Sequence, residues 1–162
     1  MWAKRRIFMK AIGAMLAVML LLFTAGGIFA QNGIKVSAGG GGDISYDLET
    51  NTTTYGFNGF VDFTYLVISA GIKIVNENTG FTASANFKYP FNLGSTFSVF
   101  PTAGADYSIA YWVSTFSLNA GVGMDFSISD NVYARLMALY VFSPRDIKNG
   151  RFTLRPSVGF RF

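Results

Sequence analysis

The sequence predicts an all-β protein, an eight-stranded antiparallel up-and-down transmembrane β-barrel preceded by a cleaved signal peptide. Three observations carry that reading. After residue 30, apolar residues recur at every second position, the period of a strand whose two faces meet different surroundings. Short turn-forming segments alternate with longer polar ones, the layout of a membrane barrel with tight turns at one end and longer loops at the other. Residues 1–30 run from basic to apolar to small, as in an exported protein.

Composition narrows the alternatives. A chain of 162 residues allows one domain, and an aromatic share of 17% excludes intrinsic disorder. There is no cysteine, so a disulfide scaffold, a thiolate metal site and a lipid-modified N-terminus are excluded. There is also no histidine, which removes the commonest general base and the commonest metal ligand.

The leader comes first. Lys4, Arg5, Arg6 and Lys10 form a positive region, an apolar run covers 11–23, and Ala25-Gly26-Gly27 and Ile28-Phe29-Ala30 precede the polar Gln31-Asn32-Gly33. Cleavage is expected after Ala30, with Ala25 as a second place, which divides the chain into a signal peptide at 1–30 and a barrel domain at 31–162. The competing reading is an uncleaved anchor, since 11–30 approaches the roughly 20 residues that cross a bilayer. Gly26-Gly27 interrupts that run. Removing the four basic residues of the leader leaves nine cations against nine carboxylates. The basic pI therefore belongs to the leader and gives no argument for nucleic acid binding.

The strands follow in order at 34–46, 55–62, 65–75, 81–91, 96–106, 115–127, 132–142 and 151–162. In the last, Phe152, Leu154, Pro156, Val158, Phe160 and Phe162 alternate with Arg151, Thr153, Arg155, Ser157, Gly159 and Arg161. At 115–127, Phe116, Leu118, Ala120, Val122, Met124 and Phe126 oppose Ser117, Asn119, Gly121, Gly123 and Asp125. Short turns are expected at Asp62-Phe63-Thr64, Asn92-Leu93-Gly94-Ser95 and Ser129-Asp130-Asn131. Longer loops are expected at 47–54, 76–80, 107–114 and 143–150.

A soluble carrier barrel would also alternate, with its apolar face inside. Here the polar face is mostly Gly, Ser, Thr and Asn, too meagre for a wet exterior. By parity, Lys35, Asp43, Asp47, Asp62, Lys73, Lys88, Asp106, Asp125, Arg135, Arg151, Arg155 and Arg161 share that face, six acidic and six basic. Such charges can neutralise one another in an interior just wide enough for side chains to fill. A lumen charge network is therefore expected from Lys35, Asp43, Asp62, Lys73, Lys88, Asp106, Asp125, Arg135, Arg155 and Arg161, with lipid outside.

With these features the chain resembles the small outer-membrane barrels of the OmpA-transmembrane and OmpX type, with OmpW-like barrels as more distant relatives. The resemblance covers 31–162 in layout. Its most specific element is Pro156-Ser-Val158-Gly-Phe160-Arg-Phe162, where Val158, Phe160 and Phe162 are similar to the signal read by the barrel-assembly machinery. The resemblance implies export by the Sec route, periplasmic chaperones, insertion into outer-membrane lipid, and both chain ends in the periplasm. The stop at Phe162 implies no peptidoglycan-binding domain.

Some barrels of this size are enzymes that modify lipids, using histidine with Ser or Asp. This sequence has none, and Asp43, Asp47 and Asp106 are expected to pair with inward cations, so no catalytic residue, cofactor or metal site is expected. Gly39-Gly40-Gly41-Gly42 lacks the helix and Lys of a phosphate loop and reads as strand glycine in a tight barrel. Tyr46, Tyr55, Phe57, Tyr65, Phe81, Tyr89, Phe91, Phe97, Tyr133, Tyr140 and Phe142 are expected to form aromatic girdles at the membrane interfaces. Tyr107, Tyr111 and Trp112 are candidate surface contacts in an exposed loop. The expected function is structural or interactive, with a filled lumen and loops free to meet an extracellular ligand. The alternatives are a narrow pore or transporter of small hydrophobic molecules, and a soluble periplasmic ligand-binding barrel.

Overall fold

A computed structural model describes residues 35–75, 78–110 and 113–162. Eight long strands form one closed antiparallel barrel. They are β1 Val36–Asp47, β2 Thr53–Phe63, β3 Leu66–Val75, β4 Asn78–Lys88, β5 Phe97–Ala110, β6 Val113–Ser127, β7 Val132–Ser143 and β8 Asp146–Arg161. Each pairs with its chain neighbours, and β1 pairs with β8 from Ser37↔Arg161 to Asp47↔Arg151, which closes the ring. Closure leaves no open sheet edge, the condition for a sheet to stand in lipid. The leader, Tyr111 and Trp112 lie outside the described residues.

The pleat sorts the side chains by parity. Ile44, Tyr55, Phe57, Phe87, Phe116, Val122, Phe152, Leu154 and Phe160 point outward and are exposed. Asp43, Asn58, Asp62, Asn86, Lys88, Asp106, Asn119 and Arg135 point inward and are buried. The apolar face is therefore outside, the reverse of a soluble carrier. In water this outer face would be a continuous apolar surface with no counterpart on a soluble monomer.

Turn chemistry fits the lower end, where Val36 and Phe162 also lie. Thr64 and Tyr65 link β2 to β3. The β4–β5 connection carries a two-residue pairing, Phe91↔Val99 and Asn92↔Ser98, and turns at Gly94, whose φ of 106° favours glycine. At the upper end Asn51 adopts φ 53° between β1 and β2, in the left-handed region that Asn tolerates.

The upper connections differ from the expected longer loops. The β5–β6 ladder continues to Ala110↔Val113, and β7 and β8 remain paired at Ser143↔Asp146. The polar residues of 107–110, 113–114 and 146–150 are strand. The physical reason is that ladder hydrogen bonds are made by the backbone and do not stop where the apolar band ends. Polarity there marks where the apolar outer band ends, while the strands go on. Tyr107 accordingly lies within β5, outward and opposite Phe116, and is not in a loop.

Candidate functional site in the barrel lumen

The lumen contains two charged layers and an apolar strip along inner β7. The lower layer is centred on Arg135 of β7, whose side chain is 1% exposed. Its Nε donates to Asp125 Oδ1 at 2.6 Å and its Nη2 to Asp125 Oδ2 at 2.8 Å, a bidentate pair across the β6–β7 ladder. Nη2 also donates to Asp62 Oδ2 of β2, on the opposite side of the ring. Lys88 Nζ reaches the same Asp62 oxygen at 2.7 Å. Four strands are thus tied by two cations and two carboxylates.

Aromatic rings enclose this layer. The Arg135 guanidinium lies 5.3 Å from the Phe60 ring, 5.2 Å from Phe100 and 5.1 Å from Tyr133, within the range of cation–π attraction. Two glycines make room. Gly123 faces Phe100 across the ladder and Gly159 faces Tyr133, and a Cβ on either glycine would collide with the ring opposite. A ring over a cross-strand glycine fills the space that the missing side chain leaves. Tyr133, expected in a girdle, is instead an inward residue at 1% exposure, sharing a 3.0 Å hydrogen bond with Ser37. The signal was available: Tyr133 has the parity of Arg135, as Phe60 has that of Asp62. Its ring type places Tyr133 in a girdle and its parity places it in the lumen; Phe60 and Phe100 are lumen residues that the sequence expectation does not include.

The upper layer is centred on Arg155 of β8. Its Nε donates to Asp43 Oδ1 at 2.6 Å, and its Nη2 lies 3.7 Å from Asp106 Oδ1. Asn119 Nδ2 donates to Asp106 Oδ2 at 3.2 Å. Phe100, Met137, Leu139 and Val141 form a buried apolar cluster that runs up inner β7 from the Arg135 layer, with Met137 opposite Arg155 and Val141 opposite Arg151. The space beside it, lined by Asn58, Phe60, Asn86, Arg135, Met137 and Arg155 among others, measures only about 10 Å³. A chamber of about 370 Å³ opens above and one of about 480 Å³ below.

The remaining expected network residues are placed differently. Arg161 lies 4.8 Å over the Tyr133 ring and donates to Ser127 Oγ at 2.9 Å. Lys73 lies inside the upper chamber, apart from the Arg155 cluster. Lys35 is exposed at the lower mouth, not within the lumen, because it precedes the first paired residue of β1 and the sheet does not hold it inward. Val158, Phe160 and Phe162 lie on the outer face at the lower end, all exposed. Among the described residues, no three acidic side chains are grouped to hold a metal ion.

No protein-family model matches this sequence, and no curated protein matches it significantly. Solved structures do match in shape. The N-terminal β-barrel domain of Pseudomonas aeruginosa OprF is similar with a TM-score of 0.61 and 16% identity, over 79% of this chain and 97% of that one. Ail, the attachment invasion locus protein of Yersinia pestis, is similar with a TM-score of 0.57 and 16% identity, over 80% of this chain and 99% of that one. The fold is that of a small eight-stranded outer-membrane β-barrel. At this identity the likeness is one of fold, and the function rests on the chain's own lumen and rim.

Proposed function

We propose that the protein is a non-enzymatic barrel of the outer membrane of a two-membraned bacterium, with a structural or surface-interaction role and a lumen closed to ions. It is exported through the Sec route with loss of residues 1–30. The barrel-assembly machinery and periplasmic chaperones then place it in lipid, with Val158, Phe160 and Phe162 as the assembly signal. The observation that carries the reading is the Arg135 layer. A bidentate ion pair, a second carboxylate and three rings crowd the lumen at this level, and the space lined by both Arg135 and Arg155 measures about 10 Å³. An ion crossing here must part charged groups that are buried and paired with one another, which is costly.

The rim supports the surface role in a reduced form. The β1–β2 connection at 48–52 and the turn at Pro144-Arg145 are short, so among the described residues a partner meets strand ends more than long loops. Tyr107 on the outer wall remains a candidate contact, as do Tyr111 and Trp112. A second reading, a path for small hydrophobic molecules, has one observation in its favour: Met137, Leu139 and Val141 form an apolar strip along inner β7.

Single-channel recording in a planar bilayer separates the two. The purified barrel is expected to give a flat baseline. Discrete, reproducible conductance steps would replace the closed reading with a pore.

A further inference from the structure

Two cations of the upper chamber make no close ion pair among the described residues, although Asp47 stands opposite Arg151 across the β1–β8 ladder. Lys73 of β3 and Arg151 of β8 both line the cavity of about 370 Å³. Lys73 is 9% exposed, and Arg151 Nε is buried without a hydrogen-bond partner. Among the described residues, the ion pairs of this layer all run through Arg155. The carboxylates nearby attract these cations at longer range but make their close contacts elsewhere. Asp43 and Asp106 face Arg155. Asp47 Oδ1 accepts from Glu49 N at 3.1 Å, Thr50 N at 2.9 Å and Thr50 Oγ1 at 3.0 Å, and so caps its own loop.

Two like charges directed into one cavity repel each other, and a buried charge without a partner is costly. A single anion between them removes both costs. Thr54, Thr82 and Ser108 add hydroxyls to the same wall, donors suited to an oxygen-rich ligand. We propose that this chamber binds a small oxyanion of the phosphate class, with Lys73 as a point charge and Arg151 as a planar fork. The chamber lining and the Arg155 layer together hold three cations, Lys73, Arg151 and Arg155, against three carboxylates, Asp43, Asp47 and Asp106, so the attraction is made at contact and not at long range. The site does not depend on whether the lumen below it conducts.

Two sources of phosphate reach it. One is free phosphate entering by the mouth. The other is phosphate on a lipid head group, since the cavity also touches Phe81 and Ile109, a paired position on the outer wall.

The test is calorimetric titration of inorganic phosphate into the folded barrel in a non-ionic, phosphate-free detergent, at ionic strength fixed with chloride. Saturable binding is expected. Lys73→Met should weaken it by about tenfold or more, the worth of one charge-assisted hydrogen bond. Lys73→Arg should largely retain it, and Lys148→Gln, which alters an exposed cation outside the chamber, should leave it unchanged. Heat-dependent gel migration of each variant verifies that it is folded. Repeating the titration in nanodiscs with and without phosphatidic acid identifies the source: competition by the lipid supports a head group, and superimposable curves support the free ion. Binding no stronger than that of chloride, or a folded Lys73→Met barrel that binds like the wild type, overturns the proposal.

Discussion

Arg135→Met is expected to destabilise the barrel by about 3–5 kcal/mol, the cost of leaving buried charge without its partner. Methionine matches the length of the stem and keeps contact with Phe60, Phe100 and Tyr133, so lost packing is not the main effect. The loss falls on Asp125 and Asp62, which both accept from this guanidinium. Lys88 stays on Asp62, so Asp125 is the more exposed of the two to the change. Urea unfolding of the barrel in lipid vesicles measures the difference. Adding Asp125→Asn to Arg135→Met should recover part of the loss, because residues within one network are not additive. An unchanged unfolding midpoint for Arg135→Met would mean that the layer is not what joins β2, β6 and β7 through the lumen.

The second large effect tests which side of the wall meets lipid. Val122 in β6 and Ile128 just beyond its lower end are each 61% exposed. If water covered the outer face, arginine at either position would be tolerated equally. If lipid covers it, Val122→Arg should cost about 2–4 kcal/mol and Ile128→Arg about 0–1 kcal/mol, following depth in the bilayer. The same unfolding measurement in vesicles reads both. Equal, small effects would contradict a lipid-facing exterior.

Much of this fold is legible in the sequence because a strand encodes its two faces in alternate residues. The parity that places Asp43, Asp62, Lys88, Asp106, Asp125, Arg135 and Arg155 on one side holds on every strand concerned. Loop lengths are not legible, since turn-forming polar residues such as Asp146, Asn149 and Gly150 continue a strand whose ladder bonds are made by backbone alone. The pairings were also beyond the sequence. That Arg135 meets both Asp125 and Asp62, residues 10 and 73 positions away, follows from closure and shear, which set what lies across the lumen. The rings were misread for a different reason. Tyr133 has the composition of an interface residue and the parity of a lumen residue, and a cross-strand glycine, Gly159, gives it space inside. Lys35 shows the converse: correct parity without a strand to enforce it.

The central claim is that the chain is a closed barrel in the outer membrane. Gel migration of protein extracted from that membrane with detergent, with and without boiling, tests it most directly. A closed barrel keeps its hydrogen-bonded ring in SDS until heated, so the account predicts two positions, with the unboiled band displaced from the boiled one. A single position in both lanes, with the protein recovered in the soluble fraction, would contradict it.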